Sequence, residues 1–420
     1  MRPIGSSEVL VGRTLSSIFY TMIPFINVRA QRDAYKSEFL QAEQQVLDSG
    51  CFIGGPVVQS LERELADFCN SGKDSAEPET RAITCASGTD ALTIALMALG
   101  LQPGDEVIVP DFTFIAPAEC VALLGGVPRF ADIDPETLLI DPESVRALIS
   151  PKTRGIIGVD LFGQVADFNE LWEIAVANDL WILEDAAQAF GATFTPWEGI
   201  SPKSPNKPWR AGTIGSISIT SFYPSKPLGC YGDGGALFTS DPKLEAKIRQ
   251  IANHGSRERY LHETVGMNSR LDALQAAVLR VKLRHLEEEL KVRQENARKY
   301  DEFFEEYNAG LRASAGAGIS GASAGAKIVS QYIKHGCTST YAQYTVLADD
   351  RDAFIAKLDA AGIPHCIHYP MPLHEQPCFK QLAQGSENKN AIMASKKVVS
   401  LPFCAFTNVE EIIARLKKVM

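Results

Sequence analysis

Short apolar runs alternate with amphipathic stretches of helical length from Met22 to about residue 255. The clearest apolar runs predict buried strands at 106–109, 127–133, 155–160 and 180–183. Between them, amphipathic stretches predict helices at 141–148 and 169–178. Strands that alternate with helices of this length imply a largely parallel sheet covered on both faces, which is the α/β class.

The pattern changes after residue 255. One or two long helices are predicted at 271–300, and a stretch of Gly, Ala and Ser at 310–326 predicts a flexible loop. A second unit follows, with a strand at 341–347, a helix at 351–361 and a closing helix at 409–419. We therefore predict a disordered extension at 1–21, a large domain at 22–270, and connecting helices with a small C-terminal α+β domain at 271–420. A segment rich in Pro, Lys and Trp at 196–210 predicts a surface loop.

Charge and composition exclude several classes of protein. The formal net charge is −10, from 41 Lys and Arg against 51 Asp and Glu, so no basic stripe indicates a nucleic-acid surface. No apolar run approaches the roughly 18–20 residues of a membrane helix. Nine scattered cysteines without a CxxC pair favour a reducing compartment. We expect a cytoplasmic protein, with organelle targeting by residues 1–21 as the open alternative.

Lys226 is the first candidate for catalysis, within SITSFYPSKPLGCYGDGG. It follows a strand-like alternation at 216–222. A lysine just beyond a buried strand is desolvated, which lowers its pKa and frees the amine for Schiff-base chemistry. Taken alone, the residue has a common alternative, because most lysines are solvated surface residues.

Asp185 closes the apolar run at 180–183 and is predicted to project from the carboxyl end of a buried strand, where ligands bind in open α/β sheets. A carboxylate there can pair with the pyridine nitrogen of pyridoxal 5′-phosphate (PLP), because a protonated ring is the better electron sink. Gln188 returns to the same face and can reach the ring hydroxyl. The alternative is that Asp185 caps a short helix beginning at Ala186.

Ser87-Gly88-Thr89 is predicted to open a helix, whose free N–H groups and positive dipole end bind phosphate without net positive charge. Ser221 can add a hydroxyl. Phe114 follows a predicted strand and can stack on a flat cofactor ring. The alternatives are ordinary helix capping for the first segment and core packing for the aromatic.

A cluster of metal-ligand residue types competes with this interpretation. It comprises His365, Cys366, His368, His374 and Cys378. Their spacing fits no common zinc pattern, and no second Cys/His pair lies nearby. We therefore predict no metal site.

Eight segments in this order resemble blocks of the DegT/StrS family of nucleotide-sugar aminotransferases. They are FIGGPVVQSLERELA, GTDAL, PGDEVIVPDFTF, FGQVADFNEL, EDAAQAFGA, SFYPSKPLGCYGDGGA, GMNSRLDALQAAVL and HYPMPLHEQP. The resemblance runs from Met22 to the C-terminus. It implies the type I PLP-dependent aminotransferase fold. The sequence departs from the family pattern at the N-terminal extension and at the stretches 196–210 and 310–326.

The resemblance implies a role for each matching residue. Lys226 carries PLP and moves the proton between cofactor and substrate carbons, Asp185 pairs with the pyridine nitrogen, and Gln188 contacts the ring oxygen. Phe114 takes the place of the stacking aromatic. The residues implied to hold the phosphate are Gly88, Thr89, Asp90 (through its backbone), Ser221 and, from a second subunit, Asn268. The implied active unit is therefore a homodimer with a shared site. Arg270, His368 and Tyr369 are the implied substrate residues.

The implied reaction moves an amino group, expected to come from L-glutamate, to a keto group of a nucleotide-linked sugar. The closest resemblance is to enzymes that aminate C3 of a UDP-linked 2-acetamido-3-keto-glucuronic acid. Arg270 is then the candidate for the sugar carboxylate, with a structural salt bridge to Asp272 or to a neighbouring helix as the alternative. Other readings are C4 amination of a UDP- or dTDP-4-keto-6-deoxy sugar, a PLP-dependent dehydratase, and a non-catalytic regulatory relative. Dehydratases of this kind carry histidine in place of the lysine, and Lys226 argues against that reading.

Overall fold

The computed structural model describes residues 23–71, 79–197, 208–316, 326–383 and 387–420. The strands in these ranges are β1 (Arg81–Cys85), β2 (Glu106–Pro110), β3 (Val127–Ala131), β4 (Thr153–Val159), β5 (Trp181–Asp185), β6 (Thr193–Phe194), β7 (Trp209–Arg210), β8 (Ile217–Ser221), β9 (Gly235–Thr239), β10 (Ser256–Glu258), β11 (Leu261–His262), β12 (Ile328–Ser330), β13 (Tyr344–Ala348) and β14 (Val398–Leu401). The helices are α1 (Val28–Ala34), α2 (Lys36–Ser49), α3 (Gly55–Asn70), α4 (Gly88–Leu99), α5 (Ala116–Leu123), α6 (Pro142–Leu148), α7 (Phe168–Ala177), α8 (Pro242–Ala252), α9 (Ala273–Gly316), α10 (Arg351–Ala360), α11 (Lys389–Lys397) and α12 (Val409–Leu416).

Seven strands form the largest sheet, in the order β1-β9-β8-β5-β4-β2-β3. The pairs from β8 to β3 are parallel, whereas β9 runs antiparallel to β8 and β1. The predicted strands at 106–109, 127–133, 155–160 and 180–183 are confirmed as β2 to β5, with ends shifted by at most two residues. The α/β class is therefore confirmed, with helices on both faces of a mostly parallel sheet.

Both faces of the sheet are buried, which explains why its strands are continuous apolar runs. Val107 and Val109 of β2 pack into one apolar cluster with α4, α5 and α8. Ile108, whose side chain points the other way, packs into a second cluster with α6 and α7. The parallel strands end at one edge of the sheet, so Asp185 of β5 and Ser221 of β8 lie at the same edge.

Helix α9 links this sheet to a second one. Its first half contributes Ala276 and Leu279 to a cluster with α3. Its later residues Tyr300 and Phe304 pack against the three-stranded antiparallel sheet β12-β13-β14, together with α10 and α12. The predicted strand at 341–347 and the helices at 351–361 and 409–419 are confirmed as β13, α10 and α12. The proposed domain boundary at residue 270 falls three residues before α9 and stays a prediction.

One loop prediction is wrong in part. The Gly, Ala and Ser stretch at 310–326 was expected to be a loop, but α9 continues through Gly310 to Gly316. Propagation of an existing helix adds one hydrogen bond per residue, and alanine has the highest helix propensity, so the alanines of this stretch favour continuation of the helix although its glycines oppose it. Residues 317–325 lie outside the described ranges, as do residues 1–22 and most of the predicted loop at 196–210. The end of that predicted loop forms β7, which pairs with β6.

Within the described ranges, no helix combines the length and the apolar character needed to cross a bilayer.

Two glycine-to-alanine substitutions should change the stability of the fold in opposite directions. In β4, a Cβ on Gly155 would lie 2.1 Å from the Trp181 ring of β5, so Gly155→Ala should destabilise the fold by about 1–3 kcal/mol through overpacking. A Cβ on Gly310 meets nothing within 4 Å in α9, so Gly310→Ala should stabilise it by about 0.5–1 kcal/mol. Denaturant unfolding of both variants measures the two shifts, and a destabilising Gly310→Ala would contradict helical structure at that residue.

Candidate active site

A cavity of about 510 Å³ opens at the carboxyl edge of the large sheet. It is lined by nine of the twelve residues that the sequence singled out: Gly88, Thr89, Phe114, Asp185, Gln188, Ser221, Lys226, His368 and Tyr369. These residues come from five separate segments of the chain. A cavity of this volume is within the range that cofactor and small-molecule sites occupy.

Lys226 lies in the turn that follows β8, and its backbone N–H donates to the Tyr223 carbonyl at 2.9 Å. Burial of the side chain lowers the pKa of the Lys226 amine, and the Asp185 carboxylate opposes that shift. The lysine is thus placed in the cavity with an ammonium form that is less favoured than on an exposed surface. This is the environment that a nucleophilic amine requires.

Asp185 is the last residue of β5, and only 6% of it is exposed. Its Oδ1 accepts the Ala187 N–H at 3.0 Å. Burial raises the pKa of Asp185 to about 6, while that hydrogen bond and Lys226 work in the opposite direction. The residues after Asp185 form turns rather than the helix that the capping alternative required. The carboxylate nevertheless caps a turn while it faces the cavity.

Gln188 is held by contacts on three sides. Its Oε1 accepts the Phe162 N–H at 2.7 Å, and its carbonyl accepts the Thr340 hydroxyl at 2.6 Å. Its Nε2 lies 3.5 Å from the Tyr369 hydroxyl. The side-chain amide is therefore fixed in orientation at the cavity wall, with its N–H groups directed toward Tyr369.

The N-terminus of α4 forms a second wall of the cavity. Ser87 caps the helix by accepting the Asp90 N–H at 3.0 Å, which leaves the Gly88 and Thr89 N–H groups without an intrahelical acceptor. Gly88 lies so close to Ser221 that an added Cβ would be 2.7 Å from the Ser221 Cβ. Backbone donors and a serine hydroxyl thus converge on one point, where the helix dipole favours an anion.

Aromatic side chains form the opposite wall. The Phe114 and Tyr369 rings are 6.3 Å apart and tilted by 42°, and Phe114 is 53% exposed. Next to them, His368 Nδ1 is 2.9 Å from the Ser400 hydroxyl, and burial lowers the pKa of His368. Such an exposed aromatic face at the cavity mouth is available for stacking.

Three of the sequence-predicted residues do not line this cavity. Asp90 uses its N–H for the Ser87 cap and accepts the Ser269 hydroxyl at 2.6 Å. Asn268 and Arg270 are exposed, on the stretch between β11 and α9. Among the described residues, no ion pair joins Arg270 to Asp272 or to a neighbouring helix. The roles of all three residues stay predictions.

Sequence reasoning missed two polar groups of the cavity. Thr113 Oγ1 and Gln343 Oε1 are buried, and neither has a hydrogen-bond partner within the part of the chain that the structure describes. A buried polar atom normally has a partner, so these atoms are available to a bound ligand. Thr113 stands next to the predicted Phe114, which was the available signal. Gln343 precedes β13 in the second sheet, and no motif marked it.

The competing metal cluster is dispersed. His374 Nδ1 bonds the Asp111 carboxylate at 2.5 Å, whereas His368 faces Ser400. In residues 23–71, 79–197, 208–316, 326–383 and 387–420, no three or more His, Cys, Asp or Glu side chains are grouped so that they could hold a metal ion.

Comparisons with known proteins match nearly the whole chain. Residues 33–418 match the DegT/DnrJ/EryC1/StrS aminotransferase family. The sequence is 43% identical over 381 residues to the UDP-2-acetamido-2-deoxy-3-oxo-D-glucuronate aminotransferase of Pseudomonas aeruginosa, with 91% of this chain and 95% of that protein covered. It is 37% identical over 381 residues to the pleiotropic regulatory protein of Geobacillus stearothermophilus, with 90% and 93% covered.

The fold has matches among solved structures. DesV of S. venezuelae, determined in complex with a ketimine intermediate, superposes with a TM-score of 0.81 at 35% identity. The match covers 94% of this chain and 98% of that one.

The raised pKa of Asp185 predicts a pH-dependent effect of Asp185→Asn on the cofactor-free protein. Between pH about 4 and about 6, the unfolded chain has lost this proton while the folded chain keeps it, so wild type loses stability as pH rises. Asparagine does not titrate. The variant's free energy of unfolding, minus that of wild type, should therefore increase by about 2 kcal/mol over this interval and then level off.

Urea unfolding at pH 4, 5, 6, 7 and 8 measures this difference, and Asp179→Asn at an exposed turn controls for the loss of one charge. A difference that does not change with pH would contradict a buried, titrating Asp185.

Proposed function

The chain belongs to the DegT/DnrJ/EryC1/StrS aminotransferase family, and on this premise we propose that it is a PLP-dependent enzyme that transfers an amino group to a keto group of a nucleotide-linked sugar. One observation carries the proposal: a lysine and a buried carboxylate, Lys226 and Asp185, lie in one cavity that also contains an anion cradle. An amine, a carboxylate and a phosphate site are the three features that PLP requires of a protein.

The residues of the cavity fit PLP. Gly88 and Thr89 offer backbone N–H groups, and Ser221 offers a hydroxyl, to the phosphate; a side chain at Gly88 would fill this space. In this proposal Asp185 would pair with the pyridine nitrogen, Gln188 would contact the ring oxygen, and Phe114 would stack on the face of the ring. When bound, PLP supplies an electron sink that stabilises negative charge on the carbon attached to the amino nitrogen.

Two side chains, Asp185 and Lys226, have specific roles in the proposed reaction. The Asp185 carboxylate would hold a proton on the ring nitrogen of bound PLP, because its burial strengthens a charge-assisted hydrogen bond. With PLP bound, the Lys226 amine would take a proton from one carbon of the substrate and cofactor pair and return it to another. A neutral amine is needed for this step, and the lowered pKa of Lys226 favours that form.

We propose a uronic-acid sugar as the substrate and L-glutamate as the amino donor. The support is the 43% identity to an aminotransferase named for UDP-2-acetamido-2-deoxy-3-oxo-D-glucuronate. Arg270 has no ion pair among the described residues, so its guanidinium is available to a carboxylate through two parallel hydrogen bonds. The alternative is C4 amination of a 4-keto-6-deoxy sugar.

A non-catalytic regulatory role is the second candidate function. A relative named pleiotropic regulatory protein shares 37% identity. The presence of Lys226, Asp185, Gln188 and Ser221 around one cavity favours catalysis, since a regulator has no need for the amine.

A direct test is amination by the PLP-loaded protein. With L-glutamate, candidate UDP- and dTDP-linked keto sugars are followed by mass spectrometry of the amino-sugar product. Lys226→Ala should bind the sugar nucleotide yet form no product and lack the visible absorbance band of lysine-bound PLP. Product formation by Lys226→Ala at the wild-type rate would overturn the assignment, and no product with any keto sugar would favour the regulatory role.

Arg270 variants test the choice of sugar. Loss of a two-pronged charged contact costs on the order of 2–3 kcal/mol, so Arg270→Ala should lose roughly 30- to 150-fold in kcat/KM for the uronic-acid substrate. Arg270→Lys keeps the positive charge but cannot form two parallel hydrogen bonds, so it should recover only part of the loss. The uncharged hexose analogue, assayed in all three proteins, is the control. Equal losses for both sugars would contradict a carboxylate contact.

We also propose that the site is shared in a homodimer, with Asn268 of one subunit reaching the phosphate in the other. Support comes from the exposed position of Asn268, outside its own chain's cavity. Mixing Lys226→Ala with Asn268→Ala should then restore activity, since a hybrid dimer has one intact site and random exchange yields about one quarter of wild-type activity. Subunit exchange without recovery would contradict the shared site.

A further inference from the structure

Two buried carboxyl groups, Asp160 and Glu184, lie next to Asp185 but do not line the cavity. Asp160 follows β4, and Glu184 precedes Asp185 in β5; both are fully buried. Because β4 and β5 pair in parallel, with Val159 opposite Asp185, the two carboxyls come within hydrogen-bonding reach of each other. Two buried carboxylates at this distance would repel each other strongly.

The hydrogen-bond donors around the pair are unequally distributed. Glu184 Oε1 accepts the Gly212 N–H and Oε2 accepts the Ile214 N–H, each at 2.8 Å. Asp160 Oδ1 accepts the Ala166 N–H at 2.8 Å. Its Oδ2 is buried and has no donor among the described residues. Glu184 therefore accepts a backbone N–H on each oxygen, whereas one oxygen of Asp160 accepts none from the described residues.

We propose that Asp160 carries a proton on Oδ2, donates it to the Glu184 carboxylate, and by this bond acts as a positioning residue for Asp185 and Gln188. The proton turns a contact between two acceptors into a charge-assisted hydrogen bond. It also leaves a single negative charge behind Asp185. Burial raises the pKa of both carboxyls, but the neighbouring Glu184 raises that of Asp160 further, whereas the hydrogen bonds that Glu184 accepts lower its own.

The positioning acts through the turn that begins at Asp160. Its N–H donates to the Asp185 carbonyl at 3.0 Å. Two residues on, the Phe162 N–H donates to Gln188 Oε1 at 2.7 Å. Phe162 has φ 62°, in the left-handed region that a bulky residue adopts only when its surroundings hold it. The bonds from Asp160 to Ala166 and to Glu184 hold this turn at the back of the sheet.

The part of this inference that concerns the cofactor ring rests on the proposed function. The proton on Asp160 can be tested without any cofactor. Infrared spectra of the full-length, cofactor-free protein at pH 7 should contain a carbonyl band of a protonated carboxylic acid that Asp160→Asn removes. Asparagine keeps the geometry, because its Oδ1 accepts from Ala166 and its Nδ2 donates to Glu184. No difference in this band between wild type and Asp160→Asn would overturn the proposal.

Paired substitutions test which carboxyl carries the proton. Asp160→Ala should weaken PLP binding roughly tenfold and lower the unfolding temperature, and Asp160→Asn should restore both. Glu184→Gln should behave like the alanine variant, because its amide NH₂ must face either the Gly212 or the Ile214 N–H. A harmless Glu184→Gln together with a damaging Asp160→Asn would place the proton on Glu184 and overturn the proposal.

Asp111→Asn is the matched control for a buried aspartate. Asp111 is also fully buried, but its Oδ1 accepts the His374 N–H at 2.8 Å and its Oδ2 accepts from Asn388 at 2.9 Å. His374 Nδ1 also bonds Oδ2 at 2.5 Å, so the NH₂ group of an asparagine would face at least one donor in either orientation. Asp111→Asn should therefore lower the unfolding temperature while Asp160→Asn does not. Equal destabilisation by the two substitutions would contradict a neutral Asp160.

Discussion

The burial of the Asp185 carboxylate at the end of β5 is the constraint on which the rest of the site depends. An ionised carboxylate in the interior is costly unless it has hydrogen bonds and a cation nearby. The fold meets this requirement with the Ala187 N–H, with Lys226 across the cavity, and with the turn at 160–163, which bonds both the Asp185 backbone and Gln188. These groups thus stabilise one buried negative charge, that of Asp185.

Parallel pairing of the strands brings the residues of the site together at one edge of the sheet. Residues just beyond β4, at the end of β5 and just beyond β8 are far apart in sequence, yet they meet at one sheet edge because the strands run in the same direction. The same edge receives the N-terminus of α4, whose free N–H groups complete an anion site in an acidic protein. Net charge therefore says little about the local field of this cavity.

Sequence patterns predicted the features that depend on residues close together in the chain. The α/β fold, the strand ends at Asp185 and Ser221, and the helix start at Gly88 follow from short runs of residues. Gln343 was missed because its place depends on how the second sheet meets the first. Asp160 was missed for a related reason, since its partner Glu184 lies on the neighbouring strand. The loop prediction for residues 310–316 failed because small residues suit both a loop and the end of a helix.

The walls of the cavity come from both ends of the described chain, with Gly88 near the start and Tyr369 near the end. During synthesis, the cofactor site is therefore complete only after the second sheet and the segment that carries Tyr369 have emerged and folded. A ligand that binds only the completed fold stabilises that state by mass action. A ligand that contacts walls from both parts of the chain would thus favour the completed fold over chains in which the second sheet has not yet formed.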